Sequence, residues 1–181
     1  DAVAGEHSRR ALAAAGGDAI YVDDATATGE MISPDMYRRF SLPYMKRMIE
    51  EIHRVRHKAV IIYFGGVMDR LDELASIGAD GLAVEASMKG YVNDIGAIAR
   101  RIGDRVTLFG NLNPFDHLQR LPEEELLQLM RAQARAGGAA RGFITAAGSP
   151  IPMGTGLGRV RWFIEAARRL EPARGHGQEK G

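Results

Sequence analysis

The chain contains no cysteine. That removes disulfides, a thiolate nucleophile and any Cys-ligated zinc from the chemistry open to it. It also lacks an apolar run near the roughly 20 residues that span a bilayer. Residues 1–10 carry acids and have no apolar signal-peptide core, so the cytoplasm is the expected location. No charge of one sign dominates. The net charge is +1, which gives no basis for a nucleic-acid or membrane-binding surface. A start methionine is missing too, and Asp1 leads almost at once into helix-forming sequence, so the chain reads as a piece of something longer.

What is present is ordinary in amount and informative in order. A length of 181 residues suits one well-cored domain, and 45% hydrophobic with 26% charged residues is a globular composition. In residues 106–114, Val-Thr-Leu-Phe stops abruptly at Gly110, Asn111, Leu112, Asn113 and Pro114. A short apolar run closed by turn residues reads as a strand buried on both faces, with its polar groups at the C-terminal end. The same design recurs at residues 19–23 before Asp24, 59–64 before Gly65 and Gly66, 81–85 before Ala86, and 142–146 before a Gly, Ser and Pro-rich loop.

Helical spacing fills the intervals. An alanine-rich stretch at 8–15 stops at Gly16 and Gly17. Ser33, Pro34 and Asp35 form a helix start, as cap, first position and dipole complement, and Pro43 splits that helix near Ser41. Further amphipathic helices are expected through Met68–Ala75, Val92–Ile102, 122–136 and 157–167. Residues 171–181 show no period and are expected to be a disordered tail behind one domain, 1–170. Five strands alternating with helices imply a parallel sheet with right-handed crossovers. Spacing alone leaves two architectures open: five units of an incomplete (β/α)8 barrel, or a complete five-stranded doubly wound sheet.

Four motifs occur in order: Ile32-Ser-Pro-Asp-Met-Tyr-Arg-Arg-Phe-Ser-Leu-Pro-Tyr44, Gly78-Ala-Asp-Gly-Leu82, Phe109-Gly-Asn-Leu-Asn-Pro114 and Gly148-Ser-Pro-Ile-Pro-Met-Gly-Thr155. Together they resemble the C-terminal half of the uroporphyrinogen decarboxylase family, which includes the haem-pathway decarboxylase and cobalamin-linked methyltransferases. The resemblance implies an α/β fold of TIM-barrel type, with the active site at the strand C-termini. This chain would supply the last five βα units.

The departures from the family pattern matter as much. The family's zinc-dependent methyltransferases carry His-x-Cys-Gly where this chain has Tyr63, Phe64, Gly65 and Gly66, and their third ligand falls on Ser149. A phenol with a pKa near ~10 and a neutral serine do not replace thiolates on zinc, so no zinc is expected. The decarboxylase's loop histidine also falls on Ser149, and its Gly-Asn-Leu-Asp-Pro aspartate is Asn113 here.

The candidate catalytic residues are Asp24, Tyr63 and Glu85, and the candidate substrate-binding residues are Lys89, Asn111, Asn113 and Ser149. Each has a competing structural reading. Asp24 can be a helix cap, Tyr63 an aromatic filling the interior, and Glu85 the ion-pair partner of Lys89. One of the two asparagines can pin the turn, and Ser149 has no neighbouring histidine to activate it. His53 and His57 have i,i+4 spacing, but with no acidic third ligand evident they read as solvent-facing. The implied ligand is of the tetrapyrrole class: a porphyrinogen, or a corrinoid (cobalamin) as methyl-carrying co-substrate. The acid would be a carboxylate or a phenol. A corrinoid protein and a second copy of the chain are the candidate macromolecular partners.

Overall fold

A computed structural model describes residues 6, 17–88 and 90–170 of the chain. The helix expected at 8–15, the tail at 171–181 and Lys89 lie outside the described residues.

The strands are β1 (Ala19–Asp23), β2 (Lys58–Tyr63), β3 (Gly81–Val84), β4 (Thr107–Phe109) and β5 (Phe143–Ile144). They pair in parallel in the order β1-β2-β3-β4-β5. That order decides between the two architectures. A doubly wound sheet reverses its strand order at a switch point, whereas a barrel adds each strand beside the last. The sheet is therefore five consecutive units of a TIM-barrel type fold, with β1 and β5 as its edges.

Helix α1 (Pro34–Phe40) begins as the sequence predicts: the Ser33 hydroxyl accepts the Met36 N–H at 3.2 Å, and Pro34 occupies the first turn. Such a cap contributes about 1 kcal/mol. The break falls at Ser41, and α2 (Leu42–Arg54) restarts with Pro43 in its first turn, where no intrahelical N–H is needed. Met45, Ile49 and Ile52 form its buried stripe. After α3 (Leu71–Ser76) comes α4 (Ile95–Ile102), which starts later than the apolar period from Val92 predicts. Asp94 caps it by accepting the Ala97 N–H at 2.6 Å, which leaves Val92 outside the helix and 68% exposed. A π-helical turn, Pro114–Leu118, precedes α5 (Glu123–Gly137), and α6 (Leu157–Arg168) completes the order.

The two faces of the sheet differ. Val22, Ile61, Tyr63, Leu82, Val84 and Leu108 belong to the core packed beneath the helices. On the other face, Tyr21 and Phe109 meet edge to face at 6.0 Å, spanning three strand intervals. They can do so because β3 places Gly81 and Ala83 between them: a Cβ on Gly81 would stand 2.8 Å from the Phe109 ring. That inner face is only partly covered, with Tyr21 52% exposed. β5 is shorter than the expected 142–146 and pairs on one side only. A single bridge, Leu112 to Ala147, extends the contact beyond it.

Candidate functional site

Parallel register brings every strand C-terminus to one end, and a cavity of about 310 Å³ opens there. Its wall is largely apolar, from Tyr21, Ile62, Phe64 and Phe109, and its polar side chains at the rim include Glu85 and Ser149.

Glu85 follows β3 directly and is 5% exposed. Its Oε2 accepts the Gly65 N–H at 2.6 Å and the hydroxyl of Tyr91. Across the rim, the Ser149 hydroxyl lies 3.4 Å from Oε1. The root of the residue is held as firmly. Its carbonyl accepts from Asn93 Nδ2 at 3.0 Å and from Asn111 Nδ2 at 3.2 Å. Several donors to a carboxylate favour its role as an acceptor.

Gly65 makes this possible through its backbone. Its φ of +82° favours glycine, and a Cβ there would stand 2.1 Å from Glu30 Oε2. Glu30, from the β1–α1 loop, accepts the neighbouring Gly66 N–H at 3.2 Å. Two carboxylates are thus seated on consecutive glycine amides. Gly148 plays the matching part on the β5 side: its Cβ would stand 2.4 Å from the Ala86 N, so only glycine lets that loop close on the rim.

The structure distributes the expected residues among different tasks. Glu85 and Ser149 come together at the cavity. Asn111 ties β3, β4 and α5 together, donating to Asn93 O at 2.8 Å and accepting from Gln133 Nε2 at 2.8 Å. Asn113 caps the π-helical turn by accepting the N–H groups of Phe115 and Asp116. It is thus the asparagine that pins the turn.

Asp24 and Tyr63 lie at the same end of the sheet with their side chains toward the helices, and Tyr63 also contributes to the cavity lining. Tyr63 is fully buried and its hydroxyl donates to Ala27 O at 2.7 Å. Period-two alternation sends its ring under the β1–α1 loop, while Ile62 faces the cavity. Asp24 is 9% exposed and accepts from the Ser41 hydroxyl at 2.9 Å. Burial raises its carboxyl above the usual range, and the Ser41 hydrogen bond offsets part of the rise. The Tyr37 phenol faces the same carboxylate, and burial holds it well above its ordinary value.

Glu30, Arg70, Tyr91 and Asn93 carried no motif that marks them in the sequence. Only spatial proximity reveals them. His53 is paired with Asp80 at 2.8 Å. Among the described residues, no group of three or more His, Asp or Glu side chains could hold a metal ion. No helix among them is long and apolar enough to cross a membrane.

Consecutive parallel βα units with a buried, hydrogen-bonded carboxylate at the strand C-termini are five units of a TIM-barrel type fold. Residues 7–170 match the family described as uroporphyrinogen decarboxylase (URO-D), and the chain belongs to that family. A relative named uroporphyrinogen decarboxylase from Xylella fastidiosa is 30% identical over 163 residues, covering 87% of this chain and 44% of the relative. Another of that name, from Chromohalobacter salexigens, is 32% identical over 152 residues, covering 82% and 41%. The chain thus spans less than half the length of these relatives. A solved methyltransferase from Methanosarcina mazei superposes with a TM-score of 0.72 at 24% identity, covering 91% of this chain and 46% of that one. The last likeness is one of fold.

Proposed function

We propose that this chain forms part of a cytoplasmic enzyme that acts on a tetrapyrrole-class ligand at the cavity, with Glu85 handling the proton. We favour corrinoid-linked methyl transfer without zinc. The observation that supports this is the pair of substitutions at the decarboxylase's own positions: its loop histidine falls on Ser149 and its motif aspartate on Asn113. The cavity wall beside Glu85 is mostly apolar, from Tyr21, Ile62, Phe64 and Phe109. A methyl group on a corrin face calls for an apolar wall. A methyl-corrinoid would give up its methyl group by cleavage of the cobalt–carbon bond, the electron pair staying with cobalt, as the acceptor bonds to the methyl carbon and loses a proton. Glu85 would take that proton.

The positions that match the family's zinc ligands do not fit the ion. The Tyr63 hydroxyl is committed to Ala27 O at 2.7 Å, Gly65 has no side chain, and Ser149 offers a neutral hydroxyl that donates to Gly148 O at 2.7 Å. No step is assigned to zinc.

Uroporphyrinogen decarboxylation is the second reading, favoured by the names of relatives 30% and 32% identical to the chain. Anaerobic assays of the full-length protein with methylcobalamin plus a thiol, and separately with uroporphyrinogen, decide between them. The expected result is methyl transfer, lowered by about 10²–10⁴ in the Glu85→Gln variant. Turnover of uroporphyrinogen alone would establish the second reading. A corrinoid-induced spectral shift with no turnover of either substrate would reduce the chain to a binding barrel or a subunit of a methyl-transfer complex.

A further inference from the structure

We propose that Tyr91 is a positioning residue for the reaction: its hydroxyl holds Glu85 as an ionised acceptor and orients that carboxylate at the cavity rim. The proposal rests on the reading of Glu85 as the proton-handling group.

The ring of Tyr91 is placed by packing. It lies on Gly66, where an added Cβ would stand 3.2 Å from Tyr91 Cβ and 3.5 Å from Cγ. From that seat its hydroxyl reaches Glu85 Oε2, the oxygen that also accepts the Gly65 N–H. Oε2 is thereby held by two donors, and Oε1 is the oxygen near Ser149 at 3.4 Å. With its carbonyl gripped by Asn93 and Asn111, Glu85 is fixed at both root and head.

The groups around this carboxylate come from every neighbouring loop. Tyr91 lies on the β3–α4 loop, Gly65 on the β2–α3 loop and Ser149 on the β5–α6 loop. Glu30 reaches the adjacent Gly66 amide from the β1–α1 loop. Burial, the hydrogen bond to Glu85 and the charges of Glu85 and Glu30 all push the Tyr91 phenol above its ordinary value. It therefore stays protonated and remains a donor at neutral pH.

A hydrogen bond to a charged acceptor changes an ionisation constant by about tenfold to a hundredfold, or roughly one to two pH units. In full-length protein carrying 13C-carboxyl glutamate, with the Glu85 signal assigned through Glu85→Gln, Tyr91→Phe should raise the Glu85 midpoint by that amount. Tyr91→Leu, which also removes the ring from Gly66, should raise it no further than a fraction of a unit beyond the Phe variant. In the rate profile, the acid limb of kcat/KM should move upward with the midpoint. A Glu85 midpoint that moves only in the Leu variant, or in neither, overturns the proposal. So does a uniform loss of rate with an unmoved acid limb, the signature of a merely structural role. If the full-length protein turns over neither substrate, the proposed function fails. The carboxyl titration still decides whether Tyr91 controls Glu85.

Discussion

Arg70 offers a sharp test of how the mouth is built. It is 1% exposed, and its guanidinium donates twice to Asp69 at 2.9 Å, once to Ala27 O at 3.1 Å and once to Ile32 O at 3.0 Å. It also stands over the Tyr37 ring at 5.4 Å. One side chain therefore clamps both ends of the segment 27–32, the loop that delivers Glu30 to Gly66. Arg70→Met keeps most of the packing and removes every donor. Asp69 is 48% exposed and resolvates at little cost. Ala27 O keeps the Tyr63 hydroxyl, whereas Ile32 O loses its Arg70 donor. Leaving one carbonyl unsatisfied and another half-satisfied gives a loss of about 2–4 kcal/mol. That is a large share of a net stability of about 5–15 kcal/mol. Urea unfolding of the full-length protein measures it, and limited proteolysis should show faster cleavage within residues 25–32. A loss below about 1 kcal/mol, the range of ordinary surface substitutions, would refute the clamp.

Two further predictions concern the foot of the sheet and its edges. Burial pulls the Asp80 carboxyl upward, but Lys58 at 2.8 Å, the Ala59 N–H at 3.0 Å and His53 at 2.8 Å outweigh it and hold the carboxyl at about 2. Because this is below the unfolded value of about 3.9, the stabilisation is full above that value and is lost as pH falls toward 2. Asp80→Asn should therefore be less stable at neutral pH and show a flatter acid limb between roughly pH 4 and 2; parallel stability curves would contradict this. The 181-residue chain expressed alone should be inactive and should self-associate, because β1 and β5 are the edges of the sheet among the described residues and Tyr21 and Ile144 are 52% and 47% exposed. Sedimentation showing a compact monomer, joined to a sharp two-state melt, would overturn that expectation.

The elements that local chemistry controls were legible in the residues. Ser33 and Pro34 set a helix start, Pro43 set the break at Ser41, and Gly137 and Gly138 stopped α5. Where two local signals competed, the pattern misled. The apolar period from Val92 lost to the Asp94 cap, and nothing in Pro114–Leu118 announced a π-helical turn. For the site, Glu85 and Ser149 were readable as polar residues just beyond strand ends. Asp24 and Tyr63 have the same signature, yet alternation along β2 turned the Tyr63 ring to the helix side.

By itself the sequence determined the βα repeat, the parallel sheet and the glycine or polar residue closing each strand, because these depend on hydrophobic period and backbone preference over a few residues. Local spacing left barrel against doubly wound sheet open, because strand pairing is a long-range choice; the four family motifs pointed to the barrel, and the strand order β1-β2-β3-β4-β5 bore that out. The tertiary structure alone brought Glu30, Tyr91 and Arg70 to the mouth. Gly65 and Gly66 seat two carboxylates that lie 55 residues apart, and Arg70 closes a loop some 40 residues upstream. Packing and hydrogen-bond geometry at such separations are fixed only once the chain has folded.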